Sequence, residues 1–280
     1  MDTLTKNQQK FIRSLSLKKN RDTHGMFLAE GPKVVNELMG IFSCHLLAGT
    51  DAFLSGHSGM RAQTIVKASP EALSKASLLE SPREVLAVFH KPHHTDICQF
   101  PPHPEHELVL MLDGIQDPGN LGTIIRLADW FDIRTVICSP HTADAFAPKV
   151  VQATMGSLAR VRVAYTELTT YLKGLTNDIP VYGTFMEGDS IYQTALDNHG
   201  IIIMGNEGKG ISPSLAALVS HRIGIPRLSA NTENGNALKS APNVPAGTVT
   251  ESLNVAIATA ITCAEFRRRQ HSSASDHPTH

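Results

Sequence analysis

Three short polar clusters hold the side chains most able to do chemistry in this chain. Asn120 and Arg126 sit in DGIQDPGNLGTIIRLADWF, residues 113–131. Gly205-Asn206-Glu207-Gly208 lies in IIIMGNEGKGIS, residues 201–212. Glu251-Ser252-Leu253-Asn254 opens ESLNVAIATAI, residues 251–261. An amide, a guanidinium, a carboxylate and a hydroxyl together can bind and orient a polar ligand. Arg126 is a poor candidate for a simple base, because guanidinium stays protonated in proteins. Taken singly, each residue has a plainer reading. Asn120 would cap a helix, Arg126 would be solvated on a helix surface, Glu207 would brace a glycine turn, and Ser252 would cap the last helix. Lys209 reads as a solvent-facing residue. Each cluster, however, comes just after an apolar strand, and polar groups at the carboxyl ends of strands commonly meet at one ligand site.

The elements that must position these clusters follow from the hydrophobic pattern. Leu108 to Leu112 reads as a buried strand. Pro118-Gly119-Asn120 and Gly122 are turn and close-approach residues, and Ile124, Ile125, Leu127, Ala128 and Phe131 then recur at helical spacing. Further strands are expected at 135–138, 159–164, 181–184, 201–204 and 222–225, with helices at 148–155, 168–175, 213–219 and 252–268. Strands alternating with helices predict a mostly parallel α/β sheet covered on both faces. Upstream, residues 3–21 read as one amphipathic helix. Short strands just before Gly31 and at 44–48, 64–66 and 85–89 alternate with helices at 34–39 and 70–78, a small α/β module. The expected division is 1–90 as a first module, 91–106 as a proline-containing linker, 107–269 as the second module, and 270–280 as a disordered tail. Residues 229–250, rich in Asn, Gly, Ser, Pro and Thr, read as a mobile loop.

The 280 residues carry a formal net charge of -1, so nothing global demands a polyanionic partner. The first 21 residues hold Lys6, Lys10, Arg13, Lys18, Lys19 and Arg21 against Asp2 alone, either a solvated basic helix or an RNA-facing one. Cys44, Cys98, Cys138 and Cys263 show no CxxC spacing and read as buried thiols in a reducing compartment. The N-terminus lacks an apolar signal core, and no apolar run is long enough to span a bilayer, which predicts a soluble cytoplasmic protein. His90, His93, His94, His103 and His106 lack acidic or cysteine partners at ligand spacing, so no metal is expected. No GxGxxG opens a helix after a strand, GxxxxGK[ST] is absent, and there is no GxSxG. Dinucleotide, P-loop and nucleophile-elbow readings therefore fail.

In this order and spacing the three clusters resemble the three signature motifs of the SpoU family, S-adenosylmethionine-dependent RNA ribose 2′-O-methyltransferases of the SPOUT class. The third motif is split, with Ile225-Pro226 at its beginning and ESLNVAIATAI at its end. Residues 12–31 and 81–88 resemble the family's L30e-like substrate-binding domain. The resemblance implies a trefoil-knotted α/β catalytic domain behind a smaller L30e-like one, and a homodimer with the cofactor site near the interface. The last helix, Leu253 to Phe266, is the candidate interface. It implies catalytic roles for Asn120, Arg126, Glu207, Ser252 and Asn254. Thr184, Gly205, Asn206, Gly208, Ile225 and Leu253 would hold S-adenosylmethionine. Arg13, Lys18, Lys19, Arg21 and Arg126 would meet RNA, ribosomal RNA first and transfer RNA second. Residues 227–250 exceed the compact form of motif three; the segment is expected to be mobile without ligand, and either folds over the pocket as a lid or orders only with cofactor or RNA. The rival readings are a non-catalytic RNA binder of the same family and a nucleotide-using α/β enzyme.

Overall fold

The computed structural model describes residues 2–92, 97, 101–176, 178–227 and 252–274. The 227–250 segment, expected to be mobile without ligand, lies almost wholly outside them, as do His93, His94, Cys98 and Glu251. The first half of the chain builds β1 (Asp2–Thr3), α1 (Lys6–Ser14), α2 (Lys18–His24), β2 (Met26–Glu30), α3 (Pro32–Leu38), β3 (Cys44–Gly49), α4 (Asp51–Gly56), β4 (Thr64–Lys67), α5 (Pro70–Ala76) and β5 (Val85–His90). Its five strands form a mixed sheet in the order β1-β4-β3-β5-β2. The single helix expected over 3–21 is two. The chain breaks at buried Leu15 and extended Leu17. Arg21 caps the break by donating to the carbonyls of Leu15 and Ser16, each at 2.8 Å, groups that a helix end otherwise leaves unpaired. Periodicity missed α4, a six-residue helix that starts where the Thr50 hydroxyl accepts from the Phe53 amide.

The second half builds β6 (Leu108–Asp113), α6 (Pro118–Trp130), β7 (Thr135–Cys138), α7 (Pro148–Ala153), β8 (Arg162–Tyr165), α8 (Leu168–Lys173), β9 (Val181–Ser190), β10 (Gly200–Gly205), α9 (Pro213–Ala216), β11 (His221–Gly224) and α10 (Val255–Ala274). Six strands pair in parallel throughout, in the order β11-β9-β10-β6-β7-β8. The chain winds outward from β6 through β7 to β8, then returns to the other side of β6. That reversal makes the β6/β10 boundary a topological switch point, where such sheets bind ligands.

Alternation along the strands sorts side chains into layers. Leu108, Leu110 and Leu112 of β6 share one core cluster with Ile202 and Met204 of β10. Val109 and Met111 face the opposite cluster with Ile201 and Ile203. The first of these clusters also takes in Phe27, Ala29, Val85, Ala87 and Phe89 of the first sheet, so one apolar core runs between the two sheets.

Several boundaries differ from expectation, among them α9, which ends at Ala216, and α10, which begins at Val255. The strand placed at 159–164 begins at Arg162, after a tight turn at Ser157–Ala159. β9 continues through polar residues to Ser190 because β11 pairs with it there. The last helix runs to Ala274, past the point where a disordered tail was expected. Polar anchors carry it on: Arg267 donates to the carbonyls of Phe131 and Asp132, Arg269 to those of Ile191 and Thr194, and Gln270 to that of Asn198. No helix among the described residues is long and apolar enough to cross a membrane.

Candidate active site

The site starts from the paired ends of β6 and β10, where Gly205 lies in register with Asp113. Beyond Gly205 the chain makes a tight loop. The amide of Asn206 donates to the carbonyl of Gly210 at 3.0 Å, and that of Gly210 donates back at 2.8 Å. The Asn206 side chain fixes this loop internally and externally. Its Oδ1 accepts from the amides of Gly208 and Lys209, and its Nδ2 donates to the carbonyl of Gly114 at 2.7 Å. Asp113 completes the junction by accepting from the Ser212 amide at 2.8 Å. Gly205 is required by crowding: a Cβ there would lie 2.4 Å from Gly210 C and Ile211 N.

This loop holds Glu207 over the first turn of α6. The cap of α6 is Asp117, whose Oδ1 accepts from the Asn120 amide at 2.8 Å, so the Asn120 side chain is not spent on capping. Instead its Nδ2 donates to Glu207 Oε1 at 2.8 Å, and its Oδ1 accepts from Asn254 Nδ2 at 3.0 Å. Asn254 in turn caps α10, its Oδ1 accepting from the amides of Ala256 and Ile257. Three motifs, 87 and 134 residues apart along the chain, thus close into one line, Asn254–Asn120–Glu207. The capping expected of Ser252 falls to Asn254.

Arg126 stands apart. It is six residues on along α6, about 9 Å by helical rise. It is exposed, with no hydrogen bond or ion pair among the described residues. Glu207 accordingly braces Asn120 and not Arg126.

Beside this line opens a cavity of about 580 Å³, within the range of about 300–1,000 Å³ usual for small-molecule sites. Thr184, Gly205, Asn206, Gly208, Ile225, Ser252 and Leu253 all line it, as does Glu207. Thr184 spends its hydroxyl on the carbonyl of Ile203 at 2.9 Å. The cavity also takes residues that sequence reasoning passed over: Phe185, Met204, Ile223, Val255, Ala258 and Thr262. All but Thr262 look like ordinary core positions in sequence. Thr262 lies fully buried, and its Oγ1 has no hydrogen-bond partner among the described residues. A buried hydroxyl left unpaired is uncommon; here its residue lines a space sized for a ligand.

The basic residues expected to meet RNA divide. Lys19 is exposed, and its ammonium has no partner among the described residues. Lys18 pairs with Asp22 at 2.6 Å in the open. Arg13 uses Nη1 on the carbonyl of Ser77 at 2.8 Å. Arg21 is a correction: it is 3% exposed, and its guanidinium bonds Asp144 with Nε at 3.0 Å and Nη2 at 2.7 Å. Charge in the sequence could not distinguish a buried bidentate arginine from a solvated one.

The described residues contain no group of three or more His, Cys, Asp or Glu placed to hold a metal ion. Burial pushes the thiols of Cys44 and Cys263 up to about 12, and raises Cys138 as well. None of the three lines the cavity.

Residues 107–241 match the SpoU rRNA Methylase family, and residues 6–87 match the MRM3-like substrate binding domain. The chain is 31% identical to the 23S rRNA (guanosine(2553)-2′-O)-methyltransferase RlmP of Bacillus subtilis (strain 168), over 91% of this chain and 94% of that protein. A putative RNA methyltransferase of the TrmH family from Porphyromonas gingivalis superposes with a TM-score of 0.78 at 41% identity, covering 95% of this chain and 99% of that one. An AdoMet-bound rRNA methyltransferase from Sinorhizobium meliloti does so with a TM-score of 0.78 at 26% identity, covering 96% and 97%. The chain belongs to the SpoU rRNA methylase family. Its fold is the parallel-sheet α/β class for which a trefoil knot is known, with a substrate-binding domain in front. Residues 228–251 lie outside the described residues.

Proposed function

We propose that this protein transfers a methyl group from S-adenosylmethionine to a ribose 2′-hydroxyl of ribosomal RNA, as a cytoplasmic homodimer. The observation that carries the reading is the meeting of Asn120, Glu207 and Asn254 in one hydrogen-bonded line beside a cavity walled by motifs two and three. The cavity fits the cofactor in size, in its apolar walls and in the unpaired Thr262 hydroxyl. Its names among relatives agree: an rRNA 2′-O-methyltransferase and an AdoMet-bound rRNA methyltransferase.

When bound, S-adenosylmethionine supplies a methyl group activated by a positively charged sulfur. Backbone at Gly205, Gly208, Ile225 and Leu253 would hold it, with Asn206 and Thr184 keeping that backbone in shape. The rest of the task is positional. A ribose hydroxyl is a poor nucleophile and must be held in line with the bond that breaks, and such placement can lower a barrier by several kcal/mol. Arg126, charged and unpaired, would clasp the phosphate beside the target ribose with its fork of donors, and an oxygen of that phosphate or a water would take the hydroxyl proton. Asn120 would hold Glu207 and Asn254 in place, and Ser252 would contact the ribose or loop backbone.

The division of labour is 1–90 for RNA, 91–106 as connection, and 107–269 for methyl transfer. Arg13, Lys18 and Lys19 remain the basic residues assigned to RNA. For the dimer, Ile257 of α10, Leu253 just before it and Trp130 of the neighbouring α6 are large apolar side chains left exposed, which supports pairing through these helices. Titration calorimetry with S-adenosylhomocysteine tests the reading. Binding in the micromolar range, about -8 kcal/mol, is expected. No binding, with or without ribosomal RNA present, would favour a non-catalytic RNA binder.

A further inference from the structure

The two modules meet at more than a linker. Arg21 of α2 reaches across to Asp144, in the loop that joins β7 to α7, with two donors on one oxygen. The pair is deep, 3% and 11% exposed at the two side chains. Asp144 Oδ1 accepts from the Phe146 amide at 2.9 Å. The Phe146 ring then lies against Phe27 of β2, 4.9 Å between centroids, with Lys91 Nζ over its face at 5.6 Å. A second ionic contact stands elsewhere on the seam. Arg160 gives Nη1 to Glu37 of α3 at 2.6 Å and both Nε and Nη2 to Asp129 of α6. Backbone approaches closely there: a Cβ on Gly156, whose φ is +99°, would fall 2.4 Å from Glu37 Cβ.

Both contacts land on elements that carry the site. Asp129 lies on α6, the helix of Asn120 and Arg126. Asp144 sits next to Ala143, whose amide donates to the carbonyl of Ile115 at 2.8 Å. The neighbouring Gly114 receives Asn206 Nδ2 on its carbonyl and gives its amide to Ser139 Oγ at 2.9 Å. Hydrogen bonds at Asp144, Ala143 and Gly114, linked by the backbone steps 143–144 and 114–115, thus lead from Arg21 in the first module to the loop that holds Glu207.

We propose that the Arg21–Asp144 and Glu37–Arg160–Asp129 contacts are positioning devices, which fix the substrate-binding module onto the catalytic loop and α6 so that bound RNA presents its target ribose at one set distance. The proposal rests on the reading of this protein as an RNA methyltransferase. A buried ion pair is a weak source of stability after desolvation, and what it supplies is geometry. One apolar core shared between the sheets gives the same rigidity. Specificity then comes from spacing: an RNA is a substrate when its gripped feature and its target ribose match the fixed separation.

The test uses the full chain as wild type, Glu37→Gln, Asp144→Asn and the double variant. Native-state amide exchange is measured first. In the double variant the amides of Gly114 and Ala143 are expected to exchange about tenfold faster, with those of β10 unchanged, as for a local opening. Methyl transfer is then measured on ribosomal RNA from cells lacking the protein. Turnover, kcat, is expected to fall about tenfold or more, with KM for the RNA within about threefold, as for lost placement of a reacting group. Glu37→Gln touches only the half-exposed pair, so it keeps the test alive should Asp144→Asn fail to fold. Unchanged exchange at Gly114 and Ala143 overturns the proposal. So does unchanged kcat in an active preparation, or a loss that falls wholly in KM. A wild type that methylates no ribosomal RNA would defeat the functional reading instead, and the exchange result would still decide the coupling.

Discussion

Asn120→Ala removes both hydrogen bonds that tie the three motifs together, one to Glu207 Oε1 and one from Asn254 Nδ2. Neither bond lies in the core. Water can replace each partner, so the loss of folding stability is expected near the lower end for hydrogen bonds, about 1 kcal/mol. For a chain of this size that lowers Tm by about 2–4 °C. The effect on turnover is larger, because Glu207 and Asn254 both lose the group that sets their position. A displacement of about 1 Å at a reacting centre costs about 10²-fold, which is about 2.7 kcal/mol of barrier. Methyl transfer to ribosomal RNA should therefore fall about a hundredfold. A double-mutant cycle sharpens the test. Asn254→Ala breaks the same line from its other end, so the two losses should overlap, with a coupling of about 1 kcal/mol or more. Asn254→Ala also removes the α10 cap, so its own Tm should fall further, by about another 1 kcal/mol of stability. Activity within about threefold of wild type for Asn120→Ala, or strictly additive losses in the cycle, would refute the reasoning that these bonds set the site's geometry.

Three further outcomes are expected. Arg126→Ala should abolish transfer while calorimetric affinity for S-adenosylhomocysteine stays within about threefold, since Arg126 makes no contact with the cavity loop; equal loss of both would reject its assignment to the RNA. Gly205→Ala should weaken cofactor binding by about tenfold or more, about 1.4 kcal/mol, because the added carbon cannot fit 2.4 Å from Gly210 C and Ile211 N without moving the loop. Unchanged affinity would show that this loop does not wall the binding site. The hydrogen bond from Arg268, joined by Arg269, brings the Glu265 carboxyl down to about 2. Its folded-state value is below the unfolded one, so its contribution is present above about pH 4.5 and fades as pH falls toward 2. The Tm difference between wild type and Glu265→Gln should accordingly narrow across that window, and a gap independent of pH would contradict it.

The sequence made the site's membership legible and left its geometry hidden. Gly205, Asn206 and Glu207 follow a four-residue apolar run that can only be a buried strand, and Asn120 follows another, so their place at strand ends was readable. That Asn120 bonds both Glu207 and Asn254 was not readable, because contacts across 87 and 134 residues depend on how β10 and α10 dock beside β6 and α6. The cap of α6 fell to Asp117 because Pro118 at the next position starts the helix three residues earlier than a cap at Asn120 would. Arg21 was the opposite case. Its neighbours Lys18 and Lys19 are exposed, and a run of basic residues gave no hint that one of them turns inward to Asp144. The cavity's apolar walls were equally silent, since Met204, Val255 and Ala258 look the same in sequence whether they face a core or a ligand.

The central claim is that the Asn254–Asn120–Glu207 line and its adjoining cavity serve methyl transfer to a ribose of ribosomal RNA. The most direct measurement incubates the protein with tritiated S-adenosylmethionine and ribosomal RNA from cells lacking it, then digests the RNA to nucleosides. The account predicts label in a single 2′-O-methylated nucleoside, with none when Arg126→Ala replaces the wild type. Label on a base, or label confined to transfer RNA, would contradict it.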